Sequence, residues 1–262
     1  MIPAGDTVLN RGTIHNEGSF DYRGAIVNLG TIWDGNCCSI MEFPGGTLIN
    51  NGTIVIDHSS IVIDGALVNN FGGNVILENM SQLVDSGPGT VTNNPGGDII
   101  AATFDDGIEN EASLVNAGTI ITNLGDYVSD NGGNLTNEAG GTIANGGNLV
   151  NYDTLVNDGT ITNDAGGRIM NHVRATFSNL GTLDNAGAIS NNGTITSSGV
   201  FYNSGTMSGS GSFTGNLIAA VPEFPNGSLL LAFAVVSLFS AFLVGLGRNL
   251  WGRKLQRSRN LL

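Results

Sequence analysis

The sequence predicts an all-β chain, a right-handed parallel β-helix, followed by one C-terminal transmembrane α-helix. Three observations predict it: a short unit punctuated by Asn and Gly recurs over residues 1–216, apolar residues fall at even intervals inside that unit, and a long charge-free apolar run stands near the C-terminus. The domain organisation that follows is a solenoid over 1–216, a linker over 217–228, a spanning helix over 229–247 and a basic tail over 248–262.

The repeat reads Asn-x-Gly-Thr-Ile, with Ser or Ala replacing Thr and Leu, Val or Phe replacing Ile. Copies begin at Asn10, Asn16, Asn28, Asn50, Asn116, Asn157, Asn179, Asn185, Asn191 and Asn203. In the C-terminal half, unit starts from Asn137 to Asn191 are six or eight residues apart, the longer steps carrying broader turns such as NEAGGTI and NDAGGRI. Three units make about 20 residues, the size of one coil of a parallel β-helix, and units so short close a core only by stacking. Ile14, Ile32, Ile54, Ile120, Ile143, Ile161, Ile169, Leu183, Ile189 and Ile195 are expected inside, on strands of two or three residues, with Thr and Ser outside. Gly is expected to supply positive φ at the corners, and Asn to tolerate left-handed backbone and to pair in ladders along the axis. So much Gly and Asn argues against a helical repeat, at about 0.5–1 kcal/mol per position. Ten or eleven coils at about 4.8 Å give a rod about 50 Å long. Residues 54–110 are less regular, with IVID at Ile54–Asp57 and Ile61–Asp64 and loops SGPG (Ser86–Gly89) and TFDDG (Thr103–Gly107), so any ligand site is sought there first.

Composition supports order and narrows the function classes. Gly supplies 40 of 262 residues while Pro supplies only 6, and apolar residues recur throughout, so burial can offset chain entropy. The formal charge of −13 divides unevenly: Arg248, Arg253, Lys254, Arg257 and Arg259 crowd the end, leaving Arg11, Arg23, Arg168 and Arg174 as the only basic residues before them. A body so acidic lacks the basic patch that nucleic acid requires, and no nucleic-acid partner is expected. Cys37 and Cys38 are adjacent, which disfavours a disulfide between them, and His15, His58 and His172 are scattered. Both cysteines are read as structural, and no metal or cofactor is expected.

The linker contains Val221-Pro222-Glu223-Phe224-Pro225, rigid and extended because of its prolines. Leu229 to Leu246 is apolar apart from Ser237 and Ser240, and at 1.5 Å per residue it spans about 27 Å, close to a bilayer's hydrocarbon thickness. The basic run after it, with Trp251 at the interface, places the C-terminus in the cytoplasm and the solenoid outside. Motif, helix and basic cluster in this order resemble the PEF-CTERM sorting signal of archaeal surface proteins. That resemblance implies that Pro222, Glu223 and Phe224 are read by a membrane-embedded archaeosortase-like transpeptidase, and that the helix is removed as the protein is joined to lipid. A plain single-pass anchor is the alternative. The opening residues, Met1 to Asp6, carry no export signal, and Val8–Ile14 is already a full unit, so further coils and a signal peptide are expected upstream.

The repeats themselves resemble the Asn- and Gly-rich β-helical repeats of large bacterial haemagglutinin-type adhesins and archaeal surface proteins, which implies the fold and a cell-surface setting. Enzymatic β-helices, polysaccharide lyases or hydrolases, are the rival, and they need converging carboxylates, often beside a Lys or Arg. Asp105 and Asp106 are adjacent and point to opposite faces; Asp57 and Asp64 would have to stack. No nucleophile elbow, P-loop or dinucleotide fingerprint occurs, and Gly96-Gly97-Asp98 is only a fragment of a calcium-binding nonapeptide. Sequons at Asn51, Asn79, Asn134 and Asn192 are candidate glycosylation sites, Asn79 foremost, with Asn226 too close to the membrane. The expected function is a non-catalytic, structural or adhesive surface protein whose partners are the membrane and surface or matrix glycans or proteins.

Overall fold

The computed structural model describes residues 3–35 and 40–219. Cys37, Cys38, the 217–228 linker beyond Ala219 with its sorting motif, the 229–247 helix and the basic tail lie outside the described residues. Among the described residues no helix is long and apolar enough to cross a membrane.

The described chain is a parallel β-solenoid. Its strands fall into three sheets of eleven, eleven and ten members, and each strand pairs with the strand three further along the chain. One coil therefore takes a strand from each sheet. The rise from Thr7 to its partner Ala25 uses 18 residues, whereas Ala66 to Thr90 uses 24, because the broader corners are absorbed between strands without disturbing the pairing. This is the coil size the six- and eight-residue unit spacing predicts.

Most strands are four residues long, not two or three, and most show one alternation: outward, buried, outward, buried. Thr154–Asn157 is representative, with Thr154 and Val156 facing out, and Leu155 and Asn157 facing in. The repeat is thus framed as Thr-Ile-x-Asn, with Asn closing the strand instead of opening the unit. A strand's period of two carries the Asn side chain inward, which a two-residue strand would not have done.

The predicted inward residues form the core. Ile32, Ile54, Ile120, Ile143, Ile161, Ile169, Leu183, Ile189 and Ile195 are at most 1% exposed, while Ile14 in the first coil is half-buried against them. Columns such as Leu135, Leu155, Phe177 and Ile195 in the first sheet stack in register, each side chain covering its equivalent one coil below. Burial of this kind stabilises by about 1.5–3 kcal/mol per large side chain.

Glycine's role differs from the expectation. Most corner glycines have no positive φ; Gly159, Gly181 and Gly199 are examples. They are required because a Cβ on Gly181 would collide with the carbonyl oxygen of Gly159, and one on Gly199 with that of Gly181. Coils 4.8 Å apart leave no room at the corner for a side chain on every level. Positive φ occurs at broader turns, as at Gly72 and Gly140, and at the end of the last strand of the first sheet, at Gly215. Asn likewise does not serve the left-handed corners, since Asn79 alone among the described asparagines has positive φ.

Candidate functional site

Stacking strands in register also stacks their closing Asn residues, one column at each corner. In the first column, Asn10 Nδ2 donates to Asn28 Oδ1 at 2.7 Å, and the pattern repeats through Asn50, Asn69, Asn93, Asn116, Asn137, Asn157 and Asn179 to the Ser197 hydroxyl. The ladder has a direction: each amide donates toward the C-terminal coil. The second N–H of each rung goes to a backbone carbonyl of the next coil, as from Asn137 to Thr160 at 3.1 Å. Buried amides so paired avoid the desolvation penalty an orphan would incur, and each bond contributes about 0.5–1.5 kcal/mol net.

The other two columns are interrupted where the sequence is irregular. In the second, Asn16 donates to Asp34 Oδ1 at 2.5 Å, Asp34 Oδ2 accepts the Ser59 hydroxyl, and the rungs after it are Ile56, Leu77 and Ala101. The ladder restarts at Thr122, whose hydroxyl donates to Asn145 Oδ1 at 2.9 Å, and runs on through Asn163 and Asn185 to Asn203. In the third column the rungs are Tyr22, Phe43 and Ile63, then Asp85, Asn110, Asp130, Asn151, Asn171 and Asn191. Tyr22 and Phe43 stack with ring centroids 5.0 Å apart, and burial with the nearby Asp34 charge pushes the Tyr22 hydroxyl up to about 12.

Three buried carboxyls have unusual titration. Asp85 is pushed up to about 6 and Asp130 to about 7, both chiefly by burial, with repulsion from Asp64 and Asp153 respectively adding to it. Asp126 is raised to about 6 by burial; the Asn123 and Asp106 backbone N–H groups oppose the rise. Perturbed carboxyls often mark catalytic sites. These three are at most 2% exposed, so they can hold protons but cannot meet a polymeric substrate.

The acidic pairs considered from sequence do not converge. Asp57 and Asp64 sit in one coil at successive corners, so they do not stack; Asp57 accepts from Asn79 Nδ2 at 2.8 Å and lies 2.8 Å from His58 Nδ1, which lower its pKa. Asp105 is exposed and Asp106 buried, the opposite faces expected of adjacent positions, and Asp106 accepts from Thr103 and Ser81 backbone N–H groups. Among the described residues no cluster of three His, Cys, Asp or Glu could hold a metal.

The outer surface of the first sheet is different in kind. Two side chains per strand point outward, from Thr7 and Leu9 to Ser212 and Thr214, and every one of them across the eleven strands is uncharged. They are Thr, Val, Ala, Ser, Ile, Leu and a single Asn, in a chain with 22 acidic residues. The second sheet shows Asp98 and Asp184 on its outer face, and the third Glu42, Glu109 and Arg168. The sequon residues Asn51, Asn79, Asn134 and Asn192 are all exposed, Asn134 lying on the charge-free face itself. Ser81 of the Asn79 sequon is buried, its hydroxyl donating to the Glu78 carbonyl at 2.5 Å.

No protein-family model matches the chain, and no curated protein does. Among solved structures it is similar to the crystal structure of a TibC-catalysed, hyper-glycosylated fragment of TibA covering residues 55–350 of that protein. Identity is 13%, with 81% of this chain and 98% of that chain covered at a TM-score of 0.30. A superposition of that quality carries no argument about function.

Proposed function

We propose that the chain is a non-catalytic, surface-displayed rod with a structural or adhesive role. The observation that carries this reading is the charge-free outer face of the first sheet. An acidic protein normally distributes its charges over all faces. Eleven stacked strands at about 4.8 Å, each presenting four residues at about 3.3 Å, give a flat strip of about 650–700 Å², close to one side of a standard protein interface. Short hydroxyls and β-branched side chains on a rigid backbone lose little entropy on contact. Binding there would be to an extended, uncharged surface, of which surface or matrix glycans and proteins are the expected kind.

In this reading the segment 229–247 holds the rod to the membrane with the solenoid outside. Pro222, Glu223 and Phe224 form the element an archaeosortase-like transpeptidase would read before lipid attachment. Asn51, Asn134 and Asn192 would be the favoured glycan carriers, because their sequon hydroxyls are not sequestered as Ser81 is.

The role is tested by displaying the full chain on cells and measuring adhesion to envelope material from the source organism. Thr154→Lys, Thr176→Lys and Thr196→Lys together should reduce adhesion at least tenfold with the β-sheet spectrum unchanged, while lysines at Ser129, Ser190 and Ser208 of the third sheet should not. Adhesion indifferent to the first set sinks the reading. Mass spectrometry of the native protein tests the tail: a C-terminus running intact to Leu262 rules out sorting.

A further inference from the structure

The third column contains an arrangement that ordinary hydrogen bonding leaves incomplete. Among the described residues three buried side-chain oxygens lack any partner: Asp85 Oδ1, Asn110 Oδ1 and Asp130 Oδ2. All three belong to consecutive rungs of one ladder, since Asp85 pairs in register with Asn110 and Asn110 with Asp130.

The ladder's direction shows what is missing. Every intact rung accepts on the side of the preceding coil and donates toward the following one. Asn110 donates to Asp130 Oδ1 at 3.1 Å as the rule requires. Its own Oδ1 must accept from Asp85, and Asp130 must donate to Asn151, whose Oδ1 receives the Asp153 backbone N–H at 3.2 Å but nothing from the rung before it. An ionised carboxylate has no hydrogen to give. Asp85 Oδ2, which accepts the Ser113 N–H at 2.9 Å, faces the following coil, and Oδ1 abuts Gly89 on the side of Ile63, where no donor exists.

The second column supplies two comparisons within the same molecule. Thr122 likewise stands where an apolar run gives way to an Asn ladder, and its hydroxyl provides the hydrogen to Asn145. Asp34 closes a ladder instead of heading one: it accepts from Asn16 and Ser59 and is followed by Ile56, which needs no donor. A carboxylate is therefore suited to the end of such a ladder and unsuited to its head or middle.

We propose that Asp85 and Asp130 are proton-binding rungs: each takes up one proton from solvent on its C-terminal-facing oxygen, so that Asp85 donates to Asn110 Oδ1 and Asp130 to Asn151 Oδ1. The ladder then runs unbroken from Asp85 through Asn171 to Asn191, whose amide donates to the Ser212 carbonyl at 2.8 Å. Their surroundings agree. The charged groups acting on the two carboxyls are acidic, Asp64 on Asp85 and Asp153 on Asp130, and the rungs packed against them are Ile63, Asn110 and Asn151. Glu109 and Tyr127 of the same strands face outward, bonded to each other at 2.9 Å. The Thr154 and Gly133 backbone N–H groups, which make no hydrogen bond of good geometry to Asp130, favour its ionised form but are outweighed by burial.

The consequence is a solenoid stiffened by acid. Both folded pKa values lie above the ordinary carboxylate value of about 4, so the folded state binds the proton more tightly than the unfolded chain. The stabilisation is complete below about pH 4 and is lost as pH rises through about 6 and 7.

The test is urea unfolding of the full chain and of Asp85→Asn, Asp130→Asn and the double variant, at pH 4.5 and 7.5, with the exposed Asp184→Asn as a control for net charge. Asparagine supplies the amide hydrogen permanently. At pH 7.5 Asp130→Asn and the double variant are expected to lower the unfolding equilibrium constant about tenfold or more, and Asp85→Asn, whose amide nitrogen cannot accept the Ser113 N–H, to lower it by less, with a much smaller change at pH 4.5 and in the control. Infrared difference spectra at pH 5.5 should show protonated carboxyl absorption that is weaker in the double variant, where Asp126 is the raised carboxyl that remains. Ladder variants that destabilise at pH 7.5, effects equal at the two pH values, or an unchanged carboxyl band would each overturn the proposal.

Discussion

A single amide in the first column makes three commitments at once. Asn137 accepts from Asn116 at 2.7 Å, donates to Asn157 at 2.7 Å and donates to the Thr160 carbonyl at 3.1 Å, all without solvent. Asn137→Asp keeps the size and acceptor but removes both donors and buries a charge. It is expected to cost about 2–4 kcal/mol at pH 7 and less at pH 4, where the carboxylic acid regains one hydrogen. Chemical denaturation at the two pH values checks this, and a pH-independent loss would show that volume, not donor chemistry, governs the site. Glycine allows a comparable contrast. Gly181→Ala should cost about 2–4 kcal/mol, since its Cβ meets the Gly159 carbonyl, whereas Gly12→Ala, with open space and no positive φ, should stay within about 0.5 kcal/mol. Equal effects at the two positions would contradict the steric account. The recurrence of Gly is plain in the sequence, but its cause is not, because the clash is between residues about 20 apart that a one-dimensional reading does not bring together.

At the scale of the element, much was legible. The Asn-x-Gly-Thr-Ile spacing predicts coil size, the inward Ile column and the outward Thr column, because side-chain alternation in a strand is local and strict. What escaped was the frame. Reading each unit from Asn put that residue at a corner, while the strands place it last and inward, as in Thr142–Asn145. In the Thr-x-x-Asn frame, QLVD at Gln82–Asp85 and YVSD at Tyr127–Asp130 become ladder positions occupied by Asp, and the titrating rungs would have been visible. In the irregular zone the strands still pair in register and the closing residue becomes Ile56, Leu77 or Ile63, while the corners take left-handed non-glycine residues at His58, Asn79, Met80 and Asp105. Packing in the columns gives a further expectation. Phe177 is wholly buried between Leu155 and Ile195, so Phe177→Ala should cost about 3–5 kcal/mol by thermal or urea unfolding, and Phe177→Leu under about 1.5 kcal/mol. Near-equal costs would indicate that the column relaxes along the axis.

At the scale of the whole solenoid, each strand pairs only with strands of the adjoining coils, while the Gln82 Nε2 bond to the Tyr127 hydroxyl at 2.9 Å reaches one coil further, so stability is close to a sum of coil and interface contributions. That makes a whole coil removable. Excising residues 176–193 joins Ala175 to Thr194 and deletes the strands Thr176–Asn179, Thr182–Asn185 and Ala188–Asn191, one from each sheet. The new neighbours match: Leu155 meets Ile195, Ile161 meets Phe201, Ile169 meets Met207, and Asn157 can donate to Ser197 as Asn179 does now. Asn171 alone would lose its partner, since Gly209 follows Ser208 where an Asn had been. The shortened chain should therefore keep its β-sheet spectrum and a cooperative urea transition, with a slope about a tenth lower because one coil of eleven no longer contributes buried surface. Loss of the cooperative transition would mean that the coils depend on longer-range features than neighbour stacking. Retention would explain how the charge-free face can be lengthened coil by coil without redesign, since each inserted coil brings its own core residue, its own rung and two more uncharged side chains to the first sheet.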